Sequence, residues 1–357
     1  MIIPEIILFD SNRVWRTYLG GRILDQLNGK KNPEDTHFPE DWIASTTQAV
    51  NKGREDKVEG LSEVVLNDHK IYLTSLFKKY PNELLGKSHF DKFGANTQFL
   101  LKFLDSAIRL HIQVHPTIQF AQKYLKSNSG KTEAYVILGI REGIKNPYIY
   151  LGFQKTPERS IFSKIIEKQD LKKLLSYFKK IPIKQGDVFI VPGGLPHAIG
   201  EGVFMIEIME PTDFVARLEF ERGGYLLPEE SRFMGKGIDF GLNMLNFGSL
   251  SKEEVRKKHF CTPGLIQQQK GGKEEVLIDS KKTPCFSVHR LSITETFIKN
   301  SNSFYVGIVT NGEGIIKTKN EQREIKRGDK FFIPHNQENV SYSCKNEMEI
   351  VLTFPPK

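Results

Sequence analysis

Apolar and polar residues alternate in short runs along most of this chain, and Gly, Pro or Asn interrupts nearly every run. Residues 99–104, 108–114, 134–139, 188–191, 203–209, 286–293, 305–309 and 349–354 each have the length and make-up of a β-strand. Many short strands separated by turn residues predict a sandwich or barrel. Helical spacing is rarer. Residues 117–126 put Ile118, Ala121 and Leu125 on one side just after Pro116, which predicts a helix start. Residues 160–180 carry Ile161, Ile165, Leu171, Leu174, Leu175 and Phe178 among lysines, as one or two amphipathic helices would. Charged residues with scattered apolar positions follow Leu227, and predict a helical connection over 228–262.

One alternating run carries chemistry. Apolar side chains stand at 108, 110, 112 and 114, and Arg109, His111, Gln113 and His115 stand between them. In a strand the second set shares one face, so Gln113 and His115 are close enough to hold one metal ion together. An acid follows in Gly130-Lys131-Thr132-Glu133, and another histidine in Pro192-Gly193-Gly194-Leu195-Pro196-His197. Two imidazoles, a carboxylate and an amide oxygen suit a borderline divalent ion such as zinc, with room for water or substrate. Gly193 and Gly194 read as a tight turn ahead of His197.

The chain also echoes itself. Ile183-Lys184-Gln185-Gly186-Asp187-Val188-Phe189-Ile190-Val191-Pro192 returns as Ile325-Lys326-Arg327-Gly328-Asp329-Lys330-Phe331-Phe332-Ile333-Pro334. A repeated turn and strand imply a duplicated unit. The second copy runs into His335-Asn336 without the Gly-Gly, so His335 reads as a loop residue. The pattern predicts two related β-barrels, the first active and the second structural.

Composition narrows the function. A chain of 357 residues is long for one core and fits two domains. The net charge of +8 would suit an anionic substrate, but it is spread in Lys-Lys pairs. Without an arginine-rich block it reads as a solvated surface, not as a nucleic-acid site. Cys261, Cys285 and Cys344 lack Cys-x-x-Cys spacing, which argues for a reducing compartment. With no basic leader or membrane-length apolar run, the expectation is a cytoplasmic protein, monomer or homodimer, without a membrane or nucleic-acid partner.

Gly186, Pro192, Gly194 and His197 resemble the second motif of the cupins, and Gln113-x-His115 with Glu133 resembles the first, with a helical insertion between. Their combination and order resemble the type I mannose-6-phosphate isomerase family, the short bacterial members best. Phe99–Asp105, Gln113-Val114-His115-Pro116, Gly130–Glu133, Val191–Ile199 and Pro211–Arg217 carry the likeness. It is dense from about residue 95 to 217, thinner at Pro39–Ile43, and weak in the last third.

The resemblance implies two cupin-type jelly rolls with helices inserted: a catalytic domain over 1–227, the helical connection, and a domain over 263–357 without a metal site. It implies one Zn2+ on Gln113, His115, Glu133 and His197. Catalytic roles fall on Arg217, Glu207 and Lys131, and substrate contacts on Lys102 and on His111, where the family commonly has a small hydroxyl residue. Asp213 opens the Asp-x-x-x-Arg segment that ends at Arg217. The implied substrate is a phosphorylated hexose, with mannose 6-phosphate and fructose 6-phosphate interconverted through a cis-enediolate. The residues alone also allow a cupin oxygenase with iron, or a non-catalytic sugar-sensing cupin.

Overall fold

The computed structural model describes residues 3–66 and 69–357. Each half of the chain is a pair of facing sheets. In the first half a six-stranded sheet runs in the order Val188–Val191, Glu133–Ile140, Val203–Met209, Leu100–Asp105, Glu40–Ile43, Arg13–Val14. A five-stranded sheet faces it, in the order Ile181–Pro182, Tyr148–Leu151, His197–Ile199, Gln113–Val114, Ala216–Arg217. In the second half the larger sheet runs Lys330–Ile333, Tyr305–Asn311, Met348–Phe354, Ser287–Ile293, Gly272–Ile278, Gly264–Gln269. The smaller one runs Gln322–Lys326, Glu313–Lys317, Val340–Ser343, Thr296–Lys299. Strand for strand the two orders match, apart from Ala216–Arg217 at one edge of the first half and Ile7–Leu8. That last strand comes from the start of the chain and lies outside Lys330–Ile333 in the second half's large sheet. These are cupin-type jelly rolls whose sheets face each other without closing into rings.

The internal echo is structural. In both copies a glycine with positive φ, Gly186 (87°) and Gly328 (96°), makes the turn that no β-carbon favours. The Lys184 amide donates to the Asp187 carboxylate at 3.0 Å, and the Lys326 amide to the Asp329 carboxylate at 2.8 Å. Gly186 N–H donates to the Ile137 carbonyl and Gly328 N–H to the Val309 carbonyl, each at 2.9 Å.

The two large sheets pack back to back. Leu101, Phe103, Ala134, Val136, Ile206 and Ile208 meet Val288, Val306, Ile308, Phe332 and Val351 in one apolar core, joined by Leu73, Leu76 and Phe77 of a nearby helix. Alternation then aims the intervening residues, Lys102, Glu133, Tyr135 and Glu207, into the first jelly roll. This is why Val203–Met209 is buried on both faces.

The helix after Pro116 spans Ile118–Leu125, and the Thr117 hydroxyl accepts the Phe120 amide at its start. Arg159–Glu167 and Leu171–Leu175 form the amphipathic pair. Residues after Leu227 hold three short helices, Glu229–Arg232, Ile238–Leu242 and Lys252–His259. The alternating run at 108–114 is corrected: only Gln113–Val114 is ladder-paired strand. Upstream, the Glu219 side chain replaces a strand partner, accepting the Ile112 amide at 3.2 Å while Arg109 grips its carboxylate at 2.7 and 2.8 Å. Among the described residues no helix is long and apolar enough to cross a membrane.

Candidate active site

His115 follows the short strand Gln113–Val114, which pairs with His197 on one side and Arg217 on the other. Glu133 opens a strand of the facing sheet. The ligand atoms of His115, Glu133 and His197 lie within 4.8 Å of one another, and all three residues are buried.

The tautomers are set by what lies behind each ring. His115 Nδ1 donates to the Phe214 carbonyl at 2.8 Å and His197 Nδ1 to the Leu195 carbonyl at 2.9 Å. Each Nε2 therefore presents a lone pair inward. His115 Nε2 stands 3.0 Å from Glu133 Oε1, and His197 Nε2 stands 3.3 Å from Glu133 Oε2. The Gln113 amide reaches both Nε2 atoms, at 3.5 and 3.4 Å, and a half-turn of that amide presents its oxygen instead. Tyr135 donates its hydroxyl to Glu133 Oε2, while Glu133 Oε1, buried, accepts no well-aligned hydrogen bond and has the Lys131 ammonium as its nearby cation, at 3.3 Å. Burial pushes the His115 pKa down to about 4, so the ring is neutral at physiological pH. Burial opposes charge on Glu133, yet its carboxyl lies well below the usual range, and with the His115 ring neutral the cation that favours this is Lys131 at 3.3 Å. Converging lone pairs and a carboxylate with an orphaned oxygen fit a bound divalent cation.

A narrow cleft adjoins this cluster, and Gln113 and Lys131 line its wall. Lys102, His111, Glu207 and Arg217 line it too, so each residue given a metal, catalytic or substrate role from the sequence lies in one of two adjoining groups. Lys102 Nζ sits 2.7 Å from Glu207 and 3.2 Å from Glu40. Burial opposes its charge, but those carboxylates hold its pKa above the usual lysine value. Burial raises Glu207 to about 8 against the pull of Lys102. Burial lowers Arg217 to about 10, and its guanidinium donates to the Ser231 carbonyl at 3.2 Å. Burial, with Arg217 nearby, drops His111 to about 3; its Nδ1 donates to the Glu219 carbonyl at 2.9 Å, so Nε2 is an acceptor.

Sequence reasoning missed Arg16, Glu40 and Tyr18. Arg16 donates to Glu40 at 2.9 Å and to both oxygens of Asp213 at 3.0 and 3.2 Å. Glu40 also accepts from Tyr18 at 2.6 Å and from the Trp42 indole at 2.8 Å. Burial is outweighed by Arg16 and Lys102, which keep Glu40 far below the ordinary carboxylate range. A Glu-Asp pair inside the buried strand Glu40–Ile43 was the available signal. A roomier cavity of about 570 Å³, lined by Pro4, Ile6–Asn12, Val58, Leu61–Leu66, Lys70, Tyr72 and Arg323, shares no lining residue with the cleft.

A family model for the cupin domain of mannose-6-phosphate isomerase matches residues 280–355, the part of the chain where local motifs are thinnest. A mannose-6-phosphate isomerase of Streptococcus mutans serotype c is 27% identical over 291 residues, covering 80% of this chain and 84% of the relative. The Bacillus subtilis mannose-6-phosphate isomerase ManA is 25% identical over 280 residues, covering 77% and 80%. A crystal structure of the mannose 6-phosphate isomerase from Bacillus subtilis superposes with a TM-score of 0.75 at 18% identity, over 98% of this chain and 99% of that one. A mannosephosphate isomerase structure from Archaeoglobus fulgidus, described as putative, gives 0.73 at 18% identity over the full length of both. Those structures share the fold. Together with the matched cupin domain and the curated relatives, that fold supports a type I mannose-6-phosphate isomerase of the cupin superfamily.

Proposed function

We propose that this chain interconverts mannose 6-phosphate and fructose 6-phosphate through a cis-enediolate, as an aldose–ketose isomerase that uses one zinc ion. One observation carries the reading: two imidazole lone pairs and the orphaned oxygen of Glu133 meet beside a cleft that holds a buried Lys–Glu pair. The relatives named as mannose-6-phosphate isomerases support the choice of sugar.

Gln113, His115, Glu133 and His197 would hold the ion, which when bound would supply a Lewis acid to the sugar oxygens. Glu207 carries the proton between C2 and C1, because a carboxyl with a pKa near 8 both takes and returns it near neutrality. Lys102, held charged, donates to the oxygen on which negative charge grows. Arg217 has no carboxylate hydrogen bond among the described residues, which leaves its donors for phosphate or enediolate oxygens. Lys131, 3.3 Å from Glu133, adds positive charge at the junction of the two groups. His111 Nε2, near the Thr17 hydroxyl at 3.4 Å, accepts from a sugar hydroxyl.

A coupled assay for fructose 6-phosphate formation tests this, run with chelator and with added metals beside elemental analysis. Turnover that a chelator abolishes and zinc restores is the expected result. Equal rates without oxygen rule out the iron oxygenase. A metal-loaded protein that binds the sugar phosphate without turnover would replace the isomerase by the sugar-sensing reading.

A further inference from the structure

The loop that delivers Lys131 and Glu133 is held by a carboxylate outside the groups above. Glu210 is 3% exposed. Its Oε1 accepts the Gly130 amide at 2.9 Å and its Oε2 the Thr132 amide at 2.8 Å, so one carboxylate grips the backbone on both sides of Lys131. The Glu210 amide returns a bond to the Thr132 carbonyl at 3.1 Å, and the Thr212 hydroxyl donates to the Gly130 carbonyl at 2.6 Å. On the other side, the Lys131 amide donates to the Pro116 carbonyl at 2.9 Å, directly after His115. The contact is close: a β-carbon on Gly130 would lie 2.7 Å from that carbonyl oxygen. The Glu133 loop is thus fixed onto the His115 backbone, with Glu210 as its clamp.

Two backbone donors therefore converge on one buried carboxylate. A glutamine there would turn an N–H2 group toward one of the two amides, donor against donor.

We infer that Glu210 is a positioning residue for Glu133 and Lys131. The inference rests on Glu133 being a metal ligand, as proposed above, and its test reads metal binding apart from turnover. Co2+ affinity is measured by chelator competition in the full chain, with kcat, KM and Tm alongside. Outer partners of ligands commonly change affinity 10–100-fold, so Glu210→Gln is expected to weaken Co2+ by roughly tenfold or more, and to lower kcat with KM within about threefold. Wild-type Co2+ affinity in Glu210→Gln overturns the clamp. If Glu210→Gln does not fold, Thr212→Val, which removes the hydroxyl held by the Gly130 carbonyl, decides: roughly threefold weaker Co2+ binding is expected, and wild-type affinity overturns the clamp. A wild type that binds Co2+ but leaves mannose 6-phosphate untouched sinks the isomerase reading, while the affinity ratios still judge the clamp.

Discussion

In the first jelly roll the Gly186–Asp187 turn pins Ile137; in the second the Gly328–Asp329 turn pins Val309. Four residues back along each strand stand Glu133 and Tyr305. The same ladders pair Tyr135 with Glu207 and Gly307 with Leu352, then Glu207 with Lys102 and Leu352 with His289. One strand further, Glu40 answers to Glu274, since each lies opposite a leucine, Leu104 or Leu291, on the neighbouring strand. The acid–base pair survives in both halves: Lys102 is 3.2 Å from Glu40, and His289 is 2.7 Å from Glu274. The other two inward carboxylates of the first half, Glu133 and Glu207, do not survive. Tyr305 stands in place of Glu133 and bonds Tyr342 at 2.8 Å, and Leu352 stands in place of Glu207 among Leu291, Ile350 and Phe354. The scaffold alone therefore makes no site. A few inward positions decide whether a jelly roll holds a polar cleft or an aromatic and aliphatic core.

Removing Glu133, the proposed metal ligand, should separate the halves most. Glu133→Ala is expected to lose its metal and cut turnover roughly 10³-fold or more, while Tyr305→Phe leaves metal content and kcat unchanged. Elemental analysis with the coupled assay checks both, and metal retained in Glu133→Ala would end the comparison.

Giving the first half the second half's residue at the next inward position, Glu207→Leu, should retain metal and lower kcat roughly 10²–10⁴-fold. With Glu207 near 8 and acting as base when ionised, wild-type kcat/KM rises as pH climbs through that value, and the variant lacks the rise. A pH profile of both proteins reads this directly.

Glu274 tests the surviving pair. Burial opposes its charge, yet His289 and Lys299 bring its pKa down to about 2. A folded pKa below the unfolded one stabilises above the unfolded value, near 4.5, and that stability is lost as pH falls toward 2. Glu274→Gln should therefore lower Tm at neutral pH, and its gap to the wild type should close in acid while kcat stays constant. Thermal melts across pH are the measurement. The smallest effect belongs to the shared turn: Gly186→Ala and Gly328→Ala should each cost about 1 kcal/mol in urea unfolding, because both force a β-carbon into positive φ. Unequal losses would break the equivalence of the two turns.

The convergence of His115, Glu133 and His197, with Gln113 beside them, was legible because each lies in a short motif whose spacing carries its geometry. The duplicated turn was legible because it is local. Arg16, Glu40 and Glu210 were not, since their meaning depends on partners brought together by folding: Asp213 lies 197 residues from Arg16, and Gly130 lies 80 residues from Glu210. The run from Arg109 to His115 shows the limit of alternation. It reported two environments on opposite sides of an extended chain, a core and a cleft. It could not report that the Glu219 side chain, and no neighbouring strand, takes the Ile112 amide.

Ile7 and Leu8 lie opposite Phe332 and Phe331, and the Phe9 amide donates to the Lys330 carbonyl. During synthesis that strand leaves the ribosome long before its partner exists, so this edge of the second half can be sealed only after nearly all of the chain has emerged. A fragment beginning at residue 263 would leave the ribosome with the Lys330–Ile333 edge bare, free to pair with any strand it met.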